Sequence, residues 1–384
     1  MKLKNILLGT TAVAGAGLVA LTLPTGSVRA AEVKAGGYPD ITITGFARFE
    51  AFGGEQDDAK LDNTLSRSLD FRNDTEVHVI ARAKSEEYGF EYGATIEFEA
   101  DTNSTNNTDE SWLFVRGGWG EVRLGDEDGV ADNSTVGGQT IAAGTGGIDG
   151  SDAVVTAAPL VFITNTDDAT KIRYYTPSFG GFSVGVSYTP TQETVDSGAN
   201  NGQFFARKNG ANAMQAKNVF EGAAVYKGDL GGVNVLASVV GLYGTLKNGA
   251  EDNISQGGFG SSEWWGVQGG VNLEFNGFKL GGSIAQSNVG DTRRDFFTAG
   301  IAYGIGAVNT SLTYGKIYDA NQDFQTVAGV DKASNLVLSA DYALAPGLVL
   351  AGDISWFDND QTDSQATGTG DTGVQAVGSL RLSF

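Results

Sequence analysis

From residue 41 to its last residue the chain keeps returning to one pattern, short runs in which every second residue is apolar and those between are polar or charged. A period of two places successive side chains on opposite faces of a β-strand, so each run describes a strand with one greasy and one wet side. In run 41–52 the odd positions Ile41, Ile43, Ala47, Phe49 and Ala51 are apolar, and Thr42, Thr44, Arg48 and Glu50 face the other way. In run 71–84, Val77, Val79, Ala81 and Ala83 oppose Arg72, Asp74, Glu76, His78, Arg82 and Lys84. Sixteen such runs follow one another: 41–52, 71–84, 90–100, 111–116, 121–125, 171–177, 182–190, 220–227, 233–244, 264–275, 278–287, 296–303, 307–316, 335–343, 348–357 and 373–384. Only 111–116 has an ambiguous phase, because Trp112, Leu113, Phe114 and Val115 are all apolar.

The connections sort into two kinds that alternate along the chain. One kind is short and rich in turn formers, as at 117–120, 178–181, 228–232, 304–306 and Asn276-Gly277. The other is longer and polar, as at 191–219, 245–262, 317–332 and 358–372. Strands with short turns at one end and long loops at the other, in even number, describe a transmembrane β-barrel rather than a sandwich. Phe182, Tyr188, Phe220, Tyr226, Phe275, Phe278, Tyr303, Tyr314, Tyr342 and Trp356 lie near strand ends on the apolar phase, where interfacial girdles sit. No window after residue 30 has the length and apolarity of a membrane helix. A chain that crosses a bilayer with strands must therefore close them into a barrel, which pairs every backbone group.

Residues 1–30 read as a cleavable export signal: Lys2 and Lys4, an apolar stretch from Ile6 to Leu23, then Val28-Arg29-Ala30 before the cut. Its loss lowers the formal charge of −21 by three more units, leaving residues 31–384 as one acidic barrel domain. So negative a chain is a poor partner for nucleic acid, whose phosphates demand clustered Lys and Arg. The chain has no cysteine, which agrees with an exported protein that does without disulfides.

Residues 126–170 interrupt the alternation. The stretch is rich in Gly, Ala, Thr and Asp, holds several acids and no Lys or Arg, and has no helical period. An insert this long is expected to be functional, and the reading is that it folds into the barrel and narrows it. The Gly144-Thr-Gly-Gly-Ile-Asp-Gly150 run lacks the strand-turn-helix setting of a phosphate loop and serves to bend the insert. Arg48, Arg72 and Arg82 share the wet phase of the first two strands, and a lipid-facing charge there would cost about 2–4 kcal/mol. They therefore converge on one quadrant of the lumen.

At Lys171-Ile-Arg-Tyr-Tyr-Thr-Pro-Ser-Phe-Gly-Gly-Phe-Ser-Val-Gly-Val-Ser-Tyr188 the sequence resembles the general porins of Gram-negative outer membranes, alphaproteobacterial type. Leu113-Phe-Val115 with Gly118-Trp-Gly-Glu-Val-Arg-Leu-Gly125 is similar to the hairpin before their constriction loop, and a terminal Phe384 is similar to their assembly signal. The resemblance implies an all-β, sixteen-stranded antiparallel barrel with its third long loop folded into the lumen, three barrels per particle, and contact with outer-membrane lipid and lipopolysaccharide. It implies a basic wall of Arg48, Arg72 and Arg82, with Lys84 outlying. The facing loop acids would be drawn from Asp126, Glu127, Asp128, Asp132, Asp149 and Asp152.

The function expected is passive diffusion of ions and small hydrophilic solutes. Along the strands the wet phase is nearly balanced: Glu50, Asp74, Glu76, Glu91, Glu97, Glu99, Glu121, Glu221, Glu274, Asp341 and Asp353 against Arg48, Arg72, Arg82, Lys84, Arg123, Lys171, Arg173, Lys227, Lys279 and Arg381. The acidic insert then decides the sign, a modest preference for cations. A substrate-selective pore, for sugars, would use aromatics in the lumen, for which Tyr175 and Trp264 are the candidates. A secreted all-β adhesin without a pore is the third reading. Catalysis has little to build on, since His78 has no marked nucleophile beside it. Asp126, Asp128, Asp149 and Asp152 are hard-oxygen candidates for calcium, the only cofactor considered.

Overall fold

The computed structural model describes residues 39–56, 69–100, 108–150, 161–163, 165–192, 216–246, 263–289, 292–320, 330–361 and 371–384. Residues 1–30, expected to be an export signal, and Asp152 lie outside the described residues. The strands are β1 (Asp40–Gln56), β2 (Asp70–Ser85), β3 (Phe90–Glu99), β4 (Ser111–Gly117), β5 (Gly120–Asp126), β6 (Thr170–Tyr175), β7 (Phe182–Gln192) and β8 (Ala216–Leu230). They continue with β9 (Val233–Leu246), β10 (Glu263–Phe275), β11 (Phe278–Val289), β12 (Thr292–Ile305), β13 (Val308–Ala320), β14 (Val330–Ala345), β15 (Leu348–Gln361) and β16 (Asp371–Ser383). Each pairs antiparallel with its neighbours in sequence, and β1 pairs with β16, Arg48 opposite Arg381, to close the barrel. Phe384 ends the seam by exchanging backbone hydrogen bonds with Gly45.

Every run read from the sequence is a strand, and several extend further than the alternation does. Strand β8 starts at Ala216 rather than 220, and β14 at Val330 rather than 335. The added residues lie on the long-loop side, where the strands stand clear of lipid and need no apolar face. At the opposite end the turns are tight: Asn276 and Gly277 both take positive φ, 51° and 83°, the mirror-image turn that suits a hairpin's twist.

The outward face carries the aromatic rings in cross-strand pairs, among them Phe182 with Tyr226 at 4.8 Å, Tyr188 with Phe220 at 4.8 Å and Phe278 with Tyr303 at 4.4 Å. These are offset, tilted contacts of the kind that stabilise aromatic pairs. In β4 the structure settles the phase: Leu113 is exposed outward, while Phe114 is buried inward and shares its face with Trp112 and Arg116.

The insert does not stay outside. It contains one helical turn, α1 (Val130–Asn133), and two turns of 3-10 helix at Gln139–Ile141 and Gly147–Asp149. Helix α1 lies on β7 to β9, the second turn on β11 and β12, and the third on β13 to β15. Val130, Ala131 and Ile163 pack with the inward side chains Val219, Val240, Leu242, Leu246 and Trp264 into a hydrophobic core inside the barrel. Fully burying a side chain of that size contributes about 1.5–3 kcal/mol.

Candidate functional site: the constricted lumen

Wall and insert meet through backbone groups of the insert and side chains of the wall. Glu221 is central. Its carboxylate accepts from Ala131 N at 3.3 Å, Thr166 N at 3.1 Å, Thr166 Oγ1 at 2.8 Å and Ser187 Oγ at 2.9 Å. Further along, Gly138 N donates to Thr298 Oγ1 at 2.9 Å, Ala143 N to Ser311 Oγ at 2.8 Å and Ile148 N to Thr313 Oγ1 at 3.1 Å. Gly144 N reaches Asp341 at 3.2 Å and Thr145 N reaches Asp353 at 2.7 Å. A loop without regular structure has unpaired N–H groups, and polar residues on the wall supply their acceptors. Glycine permits the close approach: a Cβ on Gly270 would lie 1.7 Å from the carbonyl oxygen of Val136.

The ends of the insert are fixed by charge. Glu127 and Arg173, each 1% exposed, pair at 2.5 Å, and Arg123 adds a contact to Glu127 at 3.3 Å. Arg173 also donates to Asp128 O at 2.8 Å, and Lys171 to the carbonyls of Glu127 and Asp167. Thr170 donates to Asp126 where β5 and β6 part. Burial raises the Glu127 carboxyl above the usual range despite these cations. Burial likewise pushes Asp128 and Asp167 up to about 6 and Asp132 well above its ordinary value. Asp132 is hydrogen-bonded to Asp128 and feels the partly exposed Asp149 of the third turn.

The insert covers β7 to β15, so the open lumen runs between it and the wall made by β16 and β1 to β5. Arg48 bonds Asp74 and lies 3.5 Å from Glu50, and Arg72 pairs with Glu50 at 2.6 Å. Arg116 pairs with Glu91 at 2.6 Å, and Arg123 with Glu121 at 2.6 Å. Several guanidinium groups lie over inward aromatic rings: Arg381 over Phe46 at 4.2 Å, Arg123 over Trp112 at 4.0 Å, Arg82 over Phe114 at 5.9 Å. Among the described residues, Arg82 and Arg381 are the arginines of this wall without a carboxylate in ion-pair reach. Lys84 pairs with Glu86 at the short-turn rim, away from the insert.

The structure thus brings Arg48, Arg72 and Arg82 to one wall, as their phase requires, and adds Arg116, Arg123 and Arg381. Arg116 is the residue sequence reasoning missed. Its signal was its own charge, since an arginine facing lipid in so short a strand is costly enough to set the phase of its apolar neighbours. Tyr175 and Trp264, read as pore-lining candidates, are both buried, Tyr175 sharing a hydrogen-bond contact with Ser134 and Trp264 packed against the insert's core. Trp264 is closed off from the open lumen, whereas Tyr175 borders a cavity at the short-turn end with Glu91, Arg116 and Glu121. Of the calcium candidates, Asp126 and Asp149 stand outside the two carboxylate groups that assemble among the described residues, Glu110 with Asp128 and Asp168, and Glu76 with Glu99 and Asp109, each with oxygens within 4.8 Å. Burial and its acidic neighbours push Asp168 up to about 10, and it is hydrogen-bonded to Glu110.

A profile of the Gram-negative porin family matches residues 10–362. The chain belongs to that family. An uncharacterised protein of Rickettsia typhi is 23% identical, covering 83% of this porin and 86% of its own length, and one of Rickettsia prowazekii is 24% identical over 64% and 69%. Among solved structures, an anion-selective porin from Comamonas acidovorans superposes with a TM-score of 0.58 at 19% identity, covering 90% of this chain and 99% of its own. The outer-membrane channel DcaP of Acinetobacter baumannii gives 0.60 at 14%, covering 92% and 100%. At these identities the likeness is one of fold. The protein is an outer-membrane porin, a barrel that encloses a water-filled channel. The reading as a pore-free secreted adhesin is overturned by the family match and by the closed barrel with its outward apolar face.

Proposed function

We propose that this porin is a general diffusion channel for ions and small hydrophilic solutes, without catalysis, with a modest preference for cations, working as a trimer. The observation that carries the reading is the wall of β1 to β5, where acids and arginines stand interleaved, facing an insert whose described turns pack on β7 to β15. A field between such groups favours hydrated, dipolar solutes over apolar ones. Glu127 is paired with two arginines, and Glu221, Asp341 and Asp353 are engaged by the insert's N–H groups, so in this reading the cation preference rests on Glu76, Glu97 and the insert's roots at Asp128 and Asp167.

On the outward face of β1 to β3 the small residues Ala47, Ala51, Val77, Val79, Ala81, Ala83 and Ala94 stand among exposed Phe49, Phe71, Tyr92 and Ile96, an apolar surface that either lipid or another barrel can cover. The exposed rings of the remaining circumference fit acyl chains of lipid and lipopolysaccharide. Reconstitution in planar bilayers tests the reading: it expects conductance steps in groups of three and a reversal potential of cation sign in a KCl gradient. Single steps would overturn the trimer, and an anion sign would overturn the preference.

A further inference from the structure

We propose that His78, Glu76 and Glu97 form a binding site for a divalent transition-metal ion, zinc being the type, on the open wall of the pore. His78 is the chain's one histidine. It stands on the wet face of β2 directly opposite Glu97 of β3, and Glu76 is its next neighbour on that face. The His78 Nε2 atom is 2.9 Å from Glu76 Oε2 and 3.6 Å from Glu97 Oε2, and the three donor atoms all lie within 4.8 Å of one another. Around zinc, with bonds of about 2.0–2.1 Å, ligand atoms of a tetrahedron are about 3.4 Å apart. The two distances bracket that value. The donors are already spaced for an ion to sit between them.

A second observation points the same way. Glu76 is only 6% exposed, yet among the described residues it has no Lys or Arg in ion-pair reach, and its hydrogen-bond partner is His78 itself. Glu97 likewise has His78 as its basic neighbour and otherwise faces the acids Glu110, Glu76 and Asp109. Elsewhere on this wall Glu50, Asp74, Glu91, Glu121 and Glu127 are each paired with arginine. A buried carboxylate needs a compensating charge; a single imidazolium at His78 would balance one of the two carboxylates, whereas a divalent metal ion would balance both. The imidazole nitrogen directs the choice away from calcium and magnesium, which take oxygen ligands, toward zinc, nickel or copper. Donors carried on two hydrogen-bonded strands need little reorganisation, and the lumen offers water for the fourth position.

The inference rests on the porin reading only for its effect on current. Binding is read separately by titrating the metal-stripped, detergent-solubilised porin at pH 7.5 with Co²⁺ and displacing it with Zn²⁺. One tetrahedral cobalt absorption band per chain is expected, and in bilayers micromolar Zn²⁺ should lower the open current while equal Mg²⁺ leaves it. His78→Ala should weaken Zn²⁺ binding at least tenfold and Glu97→Gln several-fold. Absence of the cobalt band, equal block by Mg²⁺, or parental Zn²⁺ affinity in His78→Ala would overturn the site. If His78→Ala does not insert, Glu97→Gln carries the comparison, and unchanged affinity there overturns it equally. A channel that conducts and binds no metal refutes this site alone.

Discussion

The two halves of the barrel interior are made by one alternation and put to different uses. On β7 to β15 the inward side chains are Val240, Leu242, Trp264, serines, threonines and a few acids, nearly all buried beneath the insert. On β1 to β5 most inward positions carry charge, and β16 adds Arg381; some of these groups, Glu50 and Glu76 among them, are buried within the wall's own ion pairs and rings. The covered half behaves like the core of a soluble protein, with apolar contacts and satisfied backbone donors. The open half behaves like a charged surface turned inside out, where ion pairs hold each other in place. A carboxylate accordingly has two meanings inside one barrel: Glu221 is a structural acceptor, whereas Glu50 is part of the channel's electrostatics. Charge counts over the whole wet face mix the two, which is why the nearly balanced tally of wall charges does not describe the pore.

Removing the central acceptor should collapse this distinction most completely. Glu221→Ala strips the partner from three donors of the insert and from Ser187 on the wall, and buried unsatisfied groups cost about 1–3 kcal/mol each, so docking of the insert should weaken by roughly 3–9 kcal/mol. Single-channel recording is expected to show larger and noisier conductance; a parental current would mean the insert is held without Glu221. Next in size, Arg173→Ala leaves the buried Glu127 with Arg123 alone at 3.3 Å, with a local cost of up to about 3–5 kcal/mol. Cleavage of the insert by added protease should become faster than in the parent, and equal protection would show that Arg123 alone suffices. Gly270→Ala is smaller, about 1–3 kcal/mol, because it forces the Val136 carbonyl off the wall. It should raise conductance modestly without altering ion preference, and a change in preference alone would place Val136 in the wrong half.

Much of this architecture was legible before any coordinates. Alternation marked all sixteen strands, and the insert was identifiable because Asp126 to Thr170 breaks the period that Arg123 and Arg173 keep on either side. What stayed hidden has physical causes. Periodicity says which face a residue is on, not whether a loop will later cover that face, so Trp264 looked like a pore lining. The insert carries no period of its own, because its contacts are backbone to side chain and leave little mark on residue type. Arg116 was masked by Trp112 and Phe114, which are apolar residues on the wet side, placed there because Arg123 and Arg82 stack on them.

The smallest expected effect concerns the boundary between the halves, at the roots of the insert. Asp128 and Asp167 are pushed up to about 6 by burial, with acidic neighbours adding to the shift. A carboxyl whose folded value is raised is neutral below it and negative above it. The docked root is therefore most stable at low pH, and that contribution is lost as pH rises through about 6. The same step adds negative charge beside the open lumen, so cation preference should increase between pH 5 and pH 7.5. Asp168, pushed up to about 10, stays protonated across that window and contributes nothing to it. Reversal potentials in a KCl gradient at the two pH values should differ by an amount that shrinks as salt screens the fixed charge. In Asp128→Asn/Asp167→Asn the difference should shrink by the share the roots carry, while a residual cation preference from the wall persists. A pH step left unchanged by the double substitution would place the titrating charge on the strands instead of the insert, and the roots would then belong electrically to the covered half.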